Sequence, residues 1–465
     1  MLAQVTKKKT LIILLVIVTV GFAARFVLWI NPGYGFQRLS TFDTGTYTGF
    51  GIAYVEAFRT MNMTALSGIN PGVPPLSMIL TGLSINLLGS VLGTIQAGLL
   101  VPITASTLTA IPAYMILRKY SERSALLAAL LISLDPYLIQ YSSTYLDAVG
   151  TFFIATLVAF ILYSNHRLSF LLAVLSACLA VLAKLTFLIF LVIFVTLLAL
   201  QKKIKYRRAL YLLIIPALAL LVSPWMWSTG TFEVAVKGNM QFNDLPFAAL
   251  LGPFIINVPQ SLSWYVLSYL GMGQVFWNTL PMVSPLVLLL GVIYRSFRRD
   301  LSFPSLPSIA ASSMILTIFL IPRNYWTYSW SGGAVLGVLT RQFYPYYFYP
   351  VGPFLAMLAA QIAFGPNSDE PRPTRLAFHP IVATAALAPL AVVMNLGFPY
   401  WDFIFTLIYN YSQGQWLLEG AVMIIFTAAL TAAIVILAEY LYRRDTNARP
   451  PAPTLDQTRA DQTNC

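Results

Sequence analysis

Long apolar segments recur along the whole chain and are separated by short polar or basic connections. Segments of about 17–25 apolar residues match the length that crosses the hydrocarbon core of a bilayer. Counting them predicts about twelve transmembrane helices in a single domain over residues 1–442, with both termini on the same side. The first seven are expected near residues 10–30, 94–117, 124–141, 149–165, 168–183, 185–200 and 209–228, and the eighth to the twelfth follow them. We therefore expect an all-α polytopic membrane protein, since each span in lipid must satisfy its own backbone hydrogen bonds.

The first apolar segment and the loop after it define the outer side of this prediction. Residues 11–30 are too long, and their flanks too poor in small residues, for a cleaved signal peptide, so we expect a retained first span. The outer loop, residues 31–92, contains "TFDTGTYTGFGIAYVEAFRTM", whose apolar residues lie near helical spacing and predict an interfacial helix. Pro74 and Pro75 are expected to start a second short helix that dips toward the membrane. The polar residues 443–465 are expected to form a short disordered cytoplasmic tail.

Composition and charge agree with this pattern. Of 465 residues, 58% are hydrophobic and 9% are charged, and the mean hydropathy is +0.75. The net charge of +12 is not pooled in one patch, which argues against a nucleic-acid partner. Instead, 21 of the 28 Lys and Arg residues fall in alternate connections, which the positive-inside rule places in the cytoplasm. The charge predicts a multi-pass cell-membrane protein with both termini inside.

Acid–base chemistry at the outer face must use the carboxylates that this topology places outside. Asp43 and Asp147 stand out because they lie at the outer mouths of spans that a bundle could bring together. On composition alone, a helix cap or a solvated group is the simpler interpretation of either. The two cysteines and two histidines lie away from both, so neither a disulfide framework nor histidine chemistry is expected. The outer acids are Asp43, Glu56, Asp135, Asp147, Glu233, Asp244, Asp402 and Glu419; the outer cations are Arg25, Arg38, Arg59, Lys184, Lys237, Arg323 and Arg341.

Four blocks of sequence carry a resemblance to a known family. The first is "DTGTY", followed about thirty residues later by "NPGVPPLSMIL"; the second is "DPYLIQYSSTYLDAVGTFF"; the third is "ACLAVLAKLTFL"; the fourth is "RQFYPYYFYPVGPFLAMLAA". Their order and topology over residues 10–365 resemble the GT-C glycosyltransferases, and within them the protein O-mannosyltransferase and aminoarabinose-transferase group (glycosyltransferase family 39-like). The blocks contribute, in order, Asp43 with Tyr47, Asp147, Lys184, and Arg341 with Tyr344.

The resemblance implies a GT-C-type membrane enzyme with its active site facing outside. Such an enzyme would move a sugar, most readily a mannose-like hexose, from a polyprenyl- or dolichyl-phosphate carrier to an acceptor hydroxyl with inversion. The acceptor could be a protein, a lipid or a glycan. The resemblance makes Asp43 the general base, and places Arg341 or Lys184 at the leaving phosphate. Tyr47 and Tyr344 are further substrate-binding candidates, and Asp147 would hold the acceptor, pair with a cation or ligate a metal.

Several alternatives stay open at this point. Thr44 stands where the group often has a second acid, which argues against a two-carboxylate metal clamp, so no metal ligand or cofactor is assigned. Lys184 could snorkel, Arg341 could anchor the interface or contact an aromatic ring, and the tyrosines could form an aromatic belt. An oligosaccharyltransferase-like enzyme would use a pyrophosphate-linked glycan and need a divalent metal and a large soluble domain. A lipid or sugar transporter (flippase) would carry carboxylates within its spans. A membrane scaffold would be indifferent to Asp43→Asn.

Overall fold

The computed structural model describes residues 2–30, 41–62, 69, 73–164, 166–223, 283–284, 287–288, 291, 305–320 and 349–364. Of residues 2–7, 30, 41–44, 305, 315 and 318–320 only the backbone is described. Most of the predicted eighth span, the eleventh and twelfth spans and the tail over 443–465 lie outside these residues. Within the described ranges all regular structure is helical.

The helices follow the apolar segments of the sequence. They are α1 Leu2–Ile30, α2 Thr41–Arg59, α3 Leu76–Leu92, α4 Thr94–Leu108, α5 Ala110–Arg118, α6 Glu122–Leu134, α7 Pro136–Gln140, α8 Tyr145–Leu162, α9 Arg167–Ala183, α10 Thr186–Leu200, α11 Tyr206–Val222, α12 Ser305–Leu320 and α13 Gly352–Phe364, with a 3₁₀ turn at Tyr141–Ser143 after α7.

Several of these helices are built to cross a bilayer. Lys8–Trp29, Thr94–Arg118 and Tyr145–Leu162 are long and apolar enough to do so. The pair α6 and α7, bent by 50°, forms one further candidate span. Large apolar side chains stay exposed on outward faces, for example Leu87 at 73% and Leu171 at 63%. Such faces suit contact with lipid, and together with the composition they identify a helical membrane protein.

Helix α8 separates two chemically different ends of the bundle. Its 18 residues span about 27 Å at 1.5 Å per residue, close to the thickness of a hydrocarbon core. At its C-terminal end, Lys119 Nζ donates to the Leu162 carbonyl at 2.9 Å and Arg208 donates to the Ser164 carbonyl at 2.7 Å. Its N-terminal end carries Asp147 in the first turn. Basic residues of separate connections therefore meet at the end opposite Asp147, which we call the basic end.

The third predicted span, over residues 124–141, is not one straight helix. It breaks at Asp135, because Pro136 has no N–H to continue the α6 hydrogen-bond ladder and instead begins α7. Arg25 and Asp135, which the charge count places on the outer side of the membrane, are both fully buried. Hydrogen bonds to backbone and hydroxyl groups replace water around their side chains.

The first-loop helices pack tightly against the bundle through glycine. Gly93, at φ 90°, makes the turn between α3 and α4, a left-handed conformation that favours glycine. Helix α2 lies against α3 where Gly51 faces Gly82: a Cβ on Gly82 would clash with the Gly51 carbonyl oxygen, and one on Gly51 would lie 2.9 Å from the Met78 carbonyl oxygen. This close backbone contact fixes α2, the helix that contains Asp43, beside α3.

Candidate functional site

The candidate site is built around an ion pair between two residues that the sequence singled out separately. Lys184 Nζ donates to Asp147 Oδ1 at 2.6 Å. The side chains are largely buried, with 15% of Lys184 and 7% of Asp147 exposed. Pairing with a cation is one of the three possibilities that the sequence left open for Asp147, and the contact joins residues 37 positions apart. The acceptor and metal roles stay predictions.

Local backbone geometry explains why these two side chains meet. Asp147 lies in the first turn of α8, where the positive end of the helix dipole favours a carboxylate. Lys184 is extended, with φ −155° and ψ 126°, and separates α9 from α10. Gly150, one turn after Asp147, lets the ring of Phe187 approach α8, since a Cβ there would clash with that ring. The glycine thus brings the start of α10, and with it Lys184, against α8.

The first-loop helix α2 contacts the same end of α8. The rings of Tyr47 and Tyr145 lie 5.7 Å apart between centroids, and the Thr48 hydroxyl lies 3.4 Å from the Tyr145 hydroxyl. Tyr145 is two residues before Asp147, so α2 packs against the end of α8 that carries Asp147, and the place of Tyr47 in a substrate site stays a prediction. Thr48 and Tyr145 form a contact between these helices that sequence reasoning missed; the only signal was their position near Tyr47 and Asp147.

The side chains of the remaining predicted site residues lie outside the description. Asp43 lies in the first turn of α2, one helical turn before Tyr47, and its side chain is outside the description. Arg341 and Tyr344 lie outside the described residues. Their assigned roles stay predictions.

A tyrosine from the last described segment reaches the inner side of the pair. The Tyr349 hydroxyl shares a hydrogen bond with the Ser106 side chain and lies within electrostatic range of Asp147. Tyr349 belongs to the fourth sequence block, so the structure brings that block to the second and third. On the outer side, burial raises the pKa of Tyr54 on α2 to about 12, which keeps its hydroxyl neutral at physiological pH.

An apolar groove opens beside the ion pair. It encloses about 330 Å³ between the start of α3, the end of α9 and the end of α11. Leu182, two residues before Lys184, forms part of its wall. The groove carries no charged side chain and is open at one side, so it suits a hydrocarbon chain. Its lining residues are Pro75, Leu76, Ile79, Leu182, Ala219, Val222 and Ser223.

Metal ligands do not gather in the described part of the chain, where no three His, Cys, Asp or Glu residues come together. The described site contains the Asp147 carboxylate, the Lys184 ammonium, hydroxyl groups on α2 and α8, and the apolar groove. This set can hold an anionic head group and its apolar tail.

Comparison with known proteins gives distant structural matches. No protein-family model matches the sequence, and no curated protein matches it either. The crystal structure of ArnT from Cupriavidus metallidurans bound to undecaprenyl phosphate is similar, with a TM-score of 0.48, 16% identity, and 92% of this chain and 77% of that chain covered. The apo oligosaccharyltransferase of Archaeoglobus fulgidus matches with a TM-score of 0.43 and 12% identity, covering 83% of this chain and 55% of that chain.

A second structure of an archaeal oligosaccharyltransferase also matches. It is AglB, the oligosaccharyltransferase of Archaeoglobus fulgidus, in complex with an inhibitory peptide and a dolichol-phosphate, with a TM-score of 0.42, 15% identity, and 86% of this chain and 56% of that chain covered. What the chain itself does is inferred below from its own residues.

Proposed function

We propose that this protein is a membrane glycosyltransferase that moves a sugar from a polyprenyl-phosphate carrier to an acceptor hydroxyl at the outer membrane surface. The observation that carries the proposal is the Asp147–Lys184 ion pair, which lies beside an apolar groove at the end of α8 opposite the basic end. A lipid phosphate needs both features together: a cation for its head and an apolar surface for its tail.

The orientation follows from the charges. Lys119 and Arg208 meet at the basic end of α8, and the positive-inside rule places that end in the cytoplasm. The ion pair then faces outside, with both termini in the cytoplasm. We propose the cell membrane as the location, with about twelve spans in all.

The donor would bind with its phosphate at Lys184. The Asp147 carboxylate binds the ammonium at 2.6 Å, which fixes the position of the cation before a phosphate binds. An ammonium provides three donors, and its hydrogen bonds to phosphate are charge-assisted and strong. Arg341, in the fourth sequence block, is the second candidate for the same phosphate. The isoprenoid tail would lie in the groove past Leu182; undecaprenyl phosphate, bound in the ArnT structure, is a lipid of this class.

The transfer itself needs a base, and Asp43 is the proposed one. Its carboxylate would take the proton of the acceptor hydroxyl while that oxygen attacks the anomeric carbon. The bond from this carbon to the phosphate oxygen breaks in the same displacement, which inverts the anomeric centre. The phosphate leaves with its negative charge, which Lys184 or Arg341 stabilises. A mannose-like hexose is the proposed sugar, and the acceptor is a protein, a lipid or a glycan.

The transporter alternative required a carboxylate within the spans. Asp135 is such a group, fully buried at the break between α6 and α7. Its carboxylate accepts hydrogen bonds from Tyr137, Val283 and Ser284. These bonds cap the start of α7, hold residues 283 and 284 and occupy both oxygens, so Asp135 serves the fold and offers no surface to a passing substrate.

The proposal is tested by transfer from a panel of radiolabelled polyprenyl-phosphate sugars to membrane acceptors. Purified wild type should transfer label from at least one donor, and Asp43→Asn should reduce the rate by about 10²–10⁴-fold, the contribution of a positioned general base. Glu56→Gln is the matched control, since it makes the same carboxylate-to-amide change at an exposed position of the same helix. Its rate should stay at the wild-type level.

Two results would contradict the proposal in different ways. If folded wild type transfers nothing from any donor, the chain is not this kind of transferase. If transfer occurs and Asp43→Asn retains full activity, the chain is a transferase and Asp43 is not its base. Transfer only from pyrophosphate-linked glycans, dependent on a divalent metal, would support the oligosaccharyltransferase-like alternative.

A further inference from the structure

The helix break at Asp135 leaves two backbone carbonyls without their normal partners. In an unbroken helix, the N–H of residue 136 would bond the Ile132 carbonyl and that of residue 137 would bond the Ser133 carbonyl. Residue 136 is proline and has no N–H. The N–H of Tyr137 donates to Asp135 Oδ1 at 3.1 Å instead. Buried carbonyls in this position require donors from elsewhere.

Arg25 on α1 supplies these donors. One terminal nitrogen donates to the Ile132 carbonyl at 2.8 Å, and the other donates to the Ser133 carbonyl at 2.6 Å. The same guanidinium donates to the Gly21 carbonyl and, through Nε, to the Ser106 hydroxyl, both at 3.0 Å. The rigid fork of an arginine reaches acceptors on three helices at once, which a lysine ammonium does not. Arg25 therefore closes the break and joins α1, α4 and α6.

The chain runs from this break straight into the candidate site. Helix α7 starts at Pro136, and the Trp29 indole of α1 donates to its Ile139 carbonyl at 3.1 Å. A 3₁₀ turn follows, and α8 then begins at Tyr145 with Asp147 in its first turn. Because α1 holds the end of α6 through Arg25 and α7 through Trp29, the entry of α8 has a fixed position.

Arg25 also has a side-chain partner on α4. Ser106, which accepts from Arg25 Nε, shares a hydrogen bond with the Tyr349 hydroxyl. The Ser106 hydroxyl thus helps to orient the guanidinium that holds the end of α6.

We infer that Arg25 is a positioning residue for the Asp147–Lys184 pair: it touches neither side chain, and it sets the place of Asp147 through the α6–α7 break, with Ser106 orienting its guanidinium. The consequence for donor binding rests on the proposed function. The positioning itself does not, because it concerns the geometry of the ion pair alone.

A mutant cycle separates positioning from general stability. Asp147→Asn, Lys184→Met and the double variant are compared by their thermal unfolding midpoints in detergent, in the wild-type background and in an Arg25→Lys background. Because the two residues interact, the midpoint shifts of the two single variants should not add up to the shift of the double variant in the wild-type background. In the Arg25→Lys background the shifts should add up, because the two side chains no longer meet in one geometry.

Two further backgrounds complete the test. Leu14→Ala removes a fully buried side chain from the same helix and makes no hydrogen bond at the break, so it lowers the midpoint and should leave the non-additivity intact. Ser106→Ala deletes a single oxygen and folds even if Arg25→Lys does not; it should reduce the non-additivity. Unchanged non-additivity in both Arg25→Lys and Ser106→Ala would overturn the inference, and so would an equal loss in Leu14→Ala. No sugar transfer is measured, so failure of the transfer assay leaves this result standing.

Discussion

Two pairs of charged residues in this bundle differ in how their side chains are held. Lys184 and Asp147 contact each other directly at 2.6 Å and keep some exposure, at 15% and 7%. Arg25 and Asp135 are both fully buried, and their hydrogen bonds go to backbone groups and serine hydroxyls. The first pair lies at helix ends beside a groove, and the second joins helices within the bundle.

The difference indicates which charged side chains can bind a substrate. Arg25 cannot turn to a ligand without leaving the Ile132 and Ser133 carbonyls unsatisfied in the interior. Lys184 has one strong anionic partner, and an incoming phosphate can share or replace it. Mutating Arg25 or Asp135, the inner pair, should therefore lower stability more than binding. Mutating Asp147 or Lys184, the outer pair, should lower binding more than stability.

The largest expected effect comes from removing one inner charge. Arg25→Met leaves the buried Ile132 and Ser133 carbonyls without their donors, and should lower the free energy of unfolding by about 2–6 kcal/mol. Lys184→Met should cost less, about 1–3 kcal/mol, because one charge-assisted hydrogen bond is lost at a partly exposed site. Unfolding in mixtures of SDS and mild detergent measures both. Equal losses would remove the distinction between the pairs.

A smaller effect is expected where the first-loop helix docks. Gly82→Ala forces a methyl group against the Gly51 carbonyl and should weaken the packing of α2 by about 1–3 kcal/mol. Hydrogen exchange of α2 should rise while that of α6 stays unchanged. Gly89→Ala is the matched control on the same helix, since its Cβ would meet only the Ile85 side chain at 3.3 Å. Faster exchange of α2 in both variants would contradict the assigned contact.

The smallest expected change in stability concerns single hydrogen bonds at the two ends of the bundle. Trp29→Phe removes the donor to the Ile139 carbonyl, and Tyr163→Phe removes the donor to the Met115 carbonyl; both distances are 3.1 Å. Each should cost about 0.5–1.5 kcal/mol. Only Trp29→Phe, next to the path into Asp147, should also lower sugar transfer. Equal effects on transfer would show that the outer end has no special role.

The periodicity of the sequence predicted much of the helical framework. The segments near 10–30, 94–117, 168–183 and 185–200 are helices, because uninterrupted apolar runs leave no other way to satisfy a backbone in lipid. The break of the third span was not predicted, although "LDPYL" contains its cause: an aspartate that caps and a proline that cannot donate. Helix α3 does begin after Pro75, yet it extends over 17 residues and packs along α4.

The sequence indicated candidate site residues and did not establish which of them contact each other. Asp147 and Lys184 were singled out separately, since their pairing depends on Gly150 and on the turn between α9 and α10. Arg25 was assigned outside because a charge count treats every cation as solvated. Its burial depends on four acceptors spread over three helices, which no local pattern reveals.

The most direct test of the outer pair is a titration with undecaprenyl phosphate. Native mass spectrometry of the detergent-solubilised protein would compare the Kd of wild type, Lys184→Met and Lys202→Met, the last being an exposed lysine between α10 and α11. Loss of charge-assisted hydrogen bonds of about 1.5–3 kcal/mol should weaken binding of the lipid at least about tenfold in Lys184→Met. Lys202→Met should bind as wild type does. Equal Kd values for wild type and Lys184→Met would contradict the assignment of this pair to the donor phosphate.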